Sequence, residues 1–538
     1  MIQLDHDKTI REIRERVLSK KIRESVARKE SALEYIINET LFAERLRVKD
    51  EPRSNKRRGE DQAFYKRVTK ELAHASEKDK VDILGAIVTR FLEEIIGKFN
   101  PQVYRFATGL MPRGLSVILN GLSPRVILKN FPNPPTLETN LVVQGEIPRV
   151  QSLIKKGTVI FLPTHLSNMD SPVFGYGIYA AGLPPVVYGA GLNLFANPVM
   201  SFFMHNLGAY KVDRKKKAPL YKDVLKEYST YVLELGMHSL FFPGGTRSRS
   251  GGVERHLKLG LAGTGLAAYV NNLKRRVANP NIYYVPCTLS YQLVLEAETL
   301  IDDFLKEVGK SRYIIEDDES SRLNRMVNFV TNLLELDSRI YMTVGDPLDP
   351  FGNRVDERGN SIDAHGRPVD ISRYVLIDGK PEHDDARDRE FTAELGEVVT
   401  AAFARHNVIQ STHLVAFALF ELVCEETKED DLYRLLRGQE QAFKVARAQV
   451  LERLDHLLGQ VMDMVDAGRI RASDLLARGK ATRVLRDAEK HFRLYHTTKP
   501  IRRVGDFYFI EEPKLVYFYR NRLTGYGLGE HFPLEGGR

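Results

Sequence analysis

The sequence predicts an α/β fold: a mostly parallel sheet with flanking helices, set between helical N-terminal and C-terminal regions. Three observations predict it. From about residue 150, short apolar runs alternate with helical stretches, the pattern of strands joined by helical crossovers. On either side, residues 1 to about 97 and 388 to 495 carry mixed charges at helical spacing. The chain of 538 residues, 43% hydrophobic and 28% charged, has an ordinary globular composition and the length for two or three domains.

The strand candidates are Thr158–Leu162, Val186–Tyr188, Ala209–Val212, Ser239–Phe242, Tyr283–Thr288 and Arg339–Val344. Between them, Leu220–Leu235 and Leu259–Leu273 read as helices. Lys80–Lys98 has apolar residues three and four apart, which predicts an amphipathic helix. In residues 350 to 385, Val355, Ile362 and Val369 each precede an aspartate, and Gly359 and Gly366 follow the first two. That seven-residue near-repeat predicts a glycine-turned β-meander, whose acids match no calcium-loop spacing. A hairpin is expected over 503–520. The divisions that follow are a helical region at 1–145, an α/β core at 146–350, the meander at 351–385, and at 386–538 a helical region ending in the hairpin.

Only two cysteines occur, Cys287 and Cys424, both among apolar residues. That argues for buried thiols in a reducing compartment and against a disulfide framework or thiolate metal site. The formal charge of +8 and pI near 9.1 suit a phosphate-rich partner without choosing among nucleic acid, anionic lipid and phosphorylated substrate. Nucleic acid is disfavoured because no clustered aromatic-basic platform accompanies the charge. The N-terminus has charges where an export signal needs an apolar core.

Ser171–Tyr210 holds forty residues without Asp, Glu, Lys or Arg. Four prolines break it, whereas a membrane span needs about 20 continuous apolar residues; it reads as short buried elements. From Lys98 to Lys129 there are five basic residues (Lys98, Arg105, Arg113, Arg125, Lys129), no acid, and interleaved apolar positions. This pattern suits an anionic membrane interface, with a packed helical pair as the alternative. Peripheral attachment at the cytoplasmic face of a membrane is the expectation.

The chemistry starts at Pro163, in the run PTHLSNMDSP. On a regular helix His165 and Asp170 would face about 140° apart. Ser171-Pro172, however, reads as an N-cap followed by a first-turn proline. The intervening residues then form a loop at the carboxyl end of a strand, where α/β sheets place their sites, and Asp170 can fold back onto the imidazole. A neutral histidine can take a proton from an attacking alcohol, and a carboxylate on its other nitrogen fixes the tautomer. No G-x-S-x-G elbow is present, and none is needed if the substrate supplies the hydroxyl. Farther on, Gly208–Arg214 (GAYKVDR) ends a strand. Phe242–Gly251 (FPGGTRSRSG) makes a glycine-rich, arginine-bearing turn whose amides and guanidinium groups suit a phosphate. It is not a Walker loop. Lys215–Lys217 read mainly as a solvated face.

The order His165…Asp170, GAYKVDR, GGTRSRSG, then Val285-Pro286…Tyr291 resembles the four blocks of the glycerolipid acyltransferase superfamily, closest to its glycerol-3-phosphate and dihydroxyacetone-phosphate branch. The resemblance runs from about residue 155 to 310, with fainter echoes at Gln410–Val415 and Phe518–Asn521. It implies O-acyl transfer with His165 as general base and Asp170 as its partner. Arg214, Gly245, Thr246, Arg247 and Ser248 would hold the acceptor phosphate, and Pro286 would shape a pocket. It implies an acyl-CoA or acyl carrier protein donor as co-substrate, a phosphorylated glycerol acceptor, and no metal or resident cofactor. A lysophosphatidate or lysophospholipid acyltransferase, or a non-catalytic lipid-binding relative, would share the blocks. Two positions depart from the pattern: Gly244 stands where the third block usually has glutamate, and Lys211 where the second usually has phenylalanine. Asp213 and Glu254 are the nearest acids that could stand in, and Gly244→Glu is expected to be tolerated or mildly activating if the pocket keeps the family's shape.

Overall fold

The computed structural model describes residues 4–28, 32–51, 56–110, 140–195, 198–308, 338–437, 443–493 and 496–534. Its centre is a seven-stranded sheet in the order β1-β7-β6-β2-β5-β3-β4. The strands are β1 (Leu141–Gly145), β2 (Thr158–Pro163), β3 (Val187–Gly191), β4 (Ala209–Val212), β5 (Ser239–Leu240), β6 (Ile282–Tyr291) and β7 (Ile340–Val344). Strands β6, β2, β5, β3 and β4 run parallel, whereas β7 is antiparallel to β6 and parallel to β1. Every residue of β2 and β6 is buried, which explains their unbroken apolar runs: strands covered on both faces have no polar side to alternate.

Helices Asp170–Ala180, Pro219–Glu234 and Gly263–Lys274 follow β2, β4 and β5. The N-terminal helices are no separate body. Helix Glu77–Ile95, capped by the Ser76–Asp79 box, buries Ile87, Val88 and Phe91 in one cluster with Tyr221, Val224 and Tyr228. On the other side, helix Ser411–Thr427 is buried almost all round and shares a core with β6 and β7. The meander comprises strands Arg354–Val355, Ser361–Ile362 and Pro368–Val369. Its aspartates are consumed by their own turns: Asp356 accepts the Asn360 N–H at 2.8 Å and Asp363 the Arg367 N–H at 2.9 Å. Cys287 and Cys424 are free and buried.

Three expectations change. The edge strand β1 lies in the stretch assigned to the helical region, so the sheet begins at residue 141. Helix Asp170–Ala180 starts one residue before Ser171, with no side-chain cap, because the Asp170 carboxylate turns back toward the loop. The hairpin pairs Ile501–Val504 with Phe507–Ile510, and Pro513–Arg520 is a helix. Pro513 opens it at a position that needs no N–H, and burial on every side removed the alternation that separates strand from helix. The basic stretch beyond 110, with Arg113, Arg125 and Lys129, lies outside the described residues; Lys98 and Arg105 lie within them, Arg105 on helix Pro101–Leu110.

Candidate active site

The carboxyl edge of β2 builds the centre. The Thr164 N–H donates to the Cys287 carbonyl at 3.0 Å, and its hydroxyl accepts the Leu289 N–H at 3.0 Å. This last tie to β6 releases the chain at His165. The His165 ring stacks on Phe242, just beyond β5, with centroids 4.2 Å apart and planes 25° from parallel. Nδ1 lies 2.8 Å from Asp170 Oδ2. That same oxygen accepts the N–H groups of Leu166 and Ser167 at 2.6 and 2.8 Å, and Oδ1 accepts the Tyr291 hydroxyl at 2.7 Å. Burial, then the Asp170 charge, push the Tyr291 phenol well above its ordinary range, so it stays a donor. A carboxylate held by four donors cannot turn away. An acceptor at Nδ1 places the proton there and leaves the lone pair on Nε2. The imidazole is 16% exposed while Asp170 is sealed, so this pair can take a proton from a bound alcohol.

The arginine turn is tied to that loop. The Ser248 N–H donates to the His165 carbonyl at 2.7 Å, and its hydroxyl to the Gly252 carbonyl at 2.8 Å. Both donors of Ser248 are therefore engaged within the protein. Gly245 sits at φ +73°, backbone that glycine adopts without strain, and it lets the chain turn into Thr246-Arg247. Arg247 Nη1 lies 3.3 Å from Glu296 Oε1. Glu296 is buried and also holds the His165 loop, accepting the Ser167 hydroxyl at 2.8 Å and the Asn168 N–H at 2.9 Å. It thus joins the two loops. Sequence reasoning missed it; the signal was an acid directly after the apolar run Leu293–Leu295 that follows β6.

Arg214 follows β4, and among the described residues no carboxylate pairs with it. Arg214 is itself exposed; partial burial of its guanidinium, with the charges of Arg247 and Arg249, shifts it below the ordinary range. Asp213 accepts the Lys215 N–H at 2.9 Å, closing its own turn. Lys215 and Lys217 are exposed, but Lys216 is buried and pairs with Glu94 at 2.9 Å and Glu44 at 3.2 Å, anchoring the N-terminal helices. Lys211 stands 5.3 Å from the centroid of the Phe195 ring. Pro286 is buried in β6 opposite Leu162, three residues before His165 leaves the sheet. The structure therefore gathers His165, Asp170, Arg214 and Arg247 at one edge and places Pro286 inside the sheet.

The fainter C-terminal echoes brace these loops. His413 Nε2 lies 2.9 Å from the Tyr291 carbonyl, with burial pulling the imidazole down to about 3. The Asn521 side chain donates to the Ser250 carbonyl at 2.9 Å, and Arg522 to the Leu289 carbonyl at 3.2 Å.

Residues 141–290 match the family model described as Acyltransferase, a span that contains His165, Asp170, Arg214, Arg247 and Pro286 but stops before Tyr291 and Glu296. The chain is similar to the glycerol-3-phosphate acyltransferase of Pseudomonas paraeruginosa, 25% identical over 282 residues, covering 52% of this chain and 30% of the relative. The enzyme of that name from Aeromonas hydrophila is 34% identical over 153 residues, covering 28% and 18%. That from Baumannia cicadellinicola is 30% identical over 216 residues, covering 39% and 24%. The matches thus span less than a third of each relative's length. Among solved structures, the 1-acyl-sn-glycerophosphate acyltransferase of Thermotoga maritima matches 56% of this chain and 86% of that one, with 14% identity and a TM-score of 0.25.

Proposed function

We propose that this chain transfers a fatty acyl group from a thioester, on coenzyme A or acyl carrier protein, to a hydroxyl of glycerol 3-phosphate. The observation that carries the reading is Arg214, a guanidinium without a carboxylate partner among the described residues, at the sheet edge that holds the His165–Asp170 pair. Nε2 of His165 takes the hydroxyl proton as that oxygen attacks the thioester carbonyl. Asp170 stabilises the resulting imidazolium. The tetrahedral intermediate then expels the thiolate, which receives the proton back from Nε2. Arg214 and Arg247 hold the acceptor phosphate, with the Gly245-Thr246 turn beside them, and no resident cofactor is required.

Incubation of the protein with labelled acyl-CoA or acyl carrier protein and a panel of acceptors tests this. Glycerol 3-phosphate should be acylated and glycerol should not; a preference for lysophosphatidate would move the acceptor assignment. Charged hydrogen bonds contribute about 1.5–3 kcal/mol each, so Arg214→Ala and Arg247→Ala should each raise the acceptor KM roughly 10- to 100-fold. Since Glu296 already engages Arg247, the effect at Arg214 should be the larger. An unchanged acceptor KM in both variants would remove the clamp.

The same reading places the protein peripherally at the cytoplasmic face of an anionic membrane. Arg105 is followed by exposed Phe106, and Tyr179 and Phe202 are exposed as well; basic and exposed apolar side chains together suit a headgroup interface. Among the described residues no helix is long and apolar enough to cross a membrane. Binding to vesicles of anionic lipid should weaken with salt and with Arg105→Glu; equal binding to neutral vesicles would reject the electrostatic part.

A further inference from the structure

The gap in the arginine turn has an occupant. A Cβ built on Gly244 would lie 2.7 Å from Glu254 Oε1 and 2.8 Å from its Cδ. The Glu254 carboxyl therefore already fills the space that a side chain at 244 would enter. Oε1 accepts the His165 backbone N–H at 2.9 Å, while Oε2 is buried with no hydrogen-bond partner among the described residues. The loop that delivers Glu254 is built for this reach. Gly251 has φ +80°, and its own Cβ would meet the Phe518 carbonyl at 2.3 Å, so the chain passes directly against the C-terminal helix. Ser248 ties back to Gly252, Asn521 holds Ser250, and Arg255 donates to the Thr524 carbonyl at 2.7 Å.

We propose that Glu254 is the positioning residue of this site, supplying from the 251–255 loop the carboxyl group that the resembling blocks supply from position 244, and acting through the backbone of His165. The proposal rests on His165 being the base. Glu254 touches the catalytic histidine at its main chain, so it sets where the ring stands over Phe242 and how Nδ1 meets Asp170. Its buried setting fits a mostly neutral acid. Burial, with the Asp170 charge adding to it, raises the carboxyl to about 8, against the opposing pull of the His165 N–H and of Arg522. A neutral carboxyl still accepts through its carbonyl oxygen, so the hold on His165 does not depend on ionisation. The same geometry argues against the expectation that Gly244→Glu is tolerated or mildly activating, because two side chains would claim one buried space.

The test is a pair of exchanges in the full chain. Gly244→Glu alone should lower Tm and activity. Glu254→Ala should lower kcat on the order of 10²-fold, the scale of a misplaced catalytic group, with acceptor KM little changed. Glu254→Gln, which keeps an acceptor oxygen at the same reach, should retain most of kcat. The double exchange Gly244→Glu with Glu254→Gly should recover both Tm and kcat above either Gly244→Glu or Glu254→Ala. A double variant no better than Gly244→Glu, or a fully active Glu254→Ala, would overturn the proposal. Failure of the base assignment is read separately, since His165→Ala would then keep its rate while the Tm exchange still holds.

Discussion

Alanine at His165 is expected to lower kcat by about 10²- to 10⁴-fold, the usual contribution of positioned proton transfer, with the fold retained. The imidazole is a surface-reaching group, and its removal leaves the Asp170 carboxylate with three of its four donors: the Leu166 and Ser167 N–H groups and the Tyr291 hydroxyl. The buried charge therefore stays solvated by the protein, and the loop should keep its path. Asp170→Asn is expected to damage both rate and fold, because an amide nitrogen cannot accept from that ring of donors. The comparison separates chemistry from architecture: His165→Ala should keep the wild-type Tm and lose turnover, whereas Asp170→Asn should lose both. Near-normal turnover in a folded His165→Ala protein would end the general-base mechanism.

The centre of the sheet was legible because β2, β6 and β7 are buried along their whole length. Runs such as Thr158–Leu162 stand out between charged helices; the observed β2 extends that run by one residue and β4 matches Ala209–Val212, whereas β3 and β6 each continue three residues past the expected end. Strand β5 keeps only Ser239–Leu240 in the ladder. There Phe242 leaves the sheet to stack on His165, a tertiary demand that no local pattern announces. The His165–Asp170 pair could be read because both partners lie in one short loop. Glu296 and Glu254 could not be placed in the same way: each meets the loop from 128 or 129 residues and from 89 residues away in the chain. Their roles follow from the topology that brings β2, β5 and β6 side by side. Gly244 marked a missing acid in the sequence, but only the packing shows that its space is filled.

The largest stability effect is expected at Glu421, on helix Ser411–Thr427. The Arg520 side chain is fully buried and Glu421 is 2% exposed; the guanidinium donates from Nε and Nη2 to Glu421 Oε1 at 3.1 and 2.9 Å. Its remaining donors reach Asn521, Thr524 and the carbonyls of His531 and Phe532, while Phe417, Phe420 and Tyr517 pack around it. Losing one partner strands the other charge in a place water cannot reach, so Glu421→Ala should cost about 3–5 kcal/mol, read as a drop in the urea midpoint. Glu421→Leu combined with Arg520→Met should recover most of that loss, because an apolar pair of similar volume leaves no charge unpaired. Arg520 adjoins Asn521, which holds the Ser250 carbonyl of the arginine turn. In Glu421→Ala, acyl transfer should therefore fail at lower urea than global unfolding, whereas in the wild type the two should coincide. A Glu421→Ala midpoint equal to wild type would mean that this ion pair does not hold the C-terminal segment against the site.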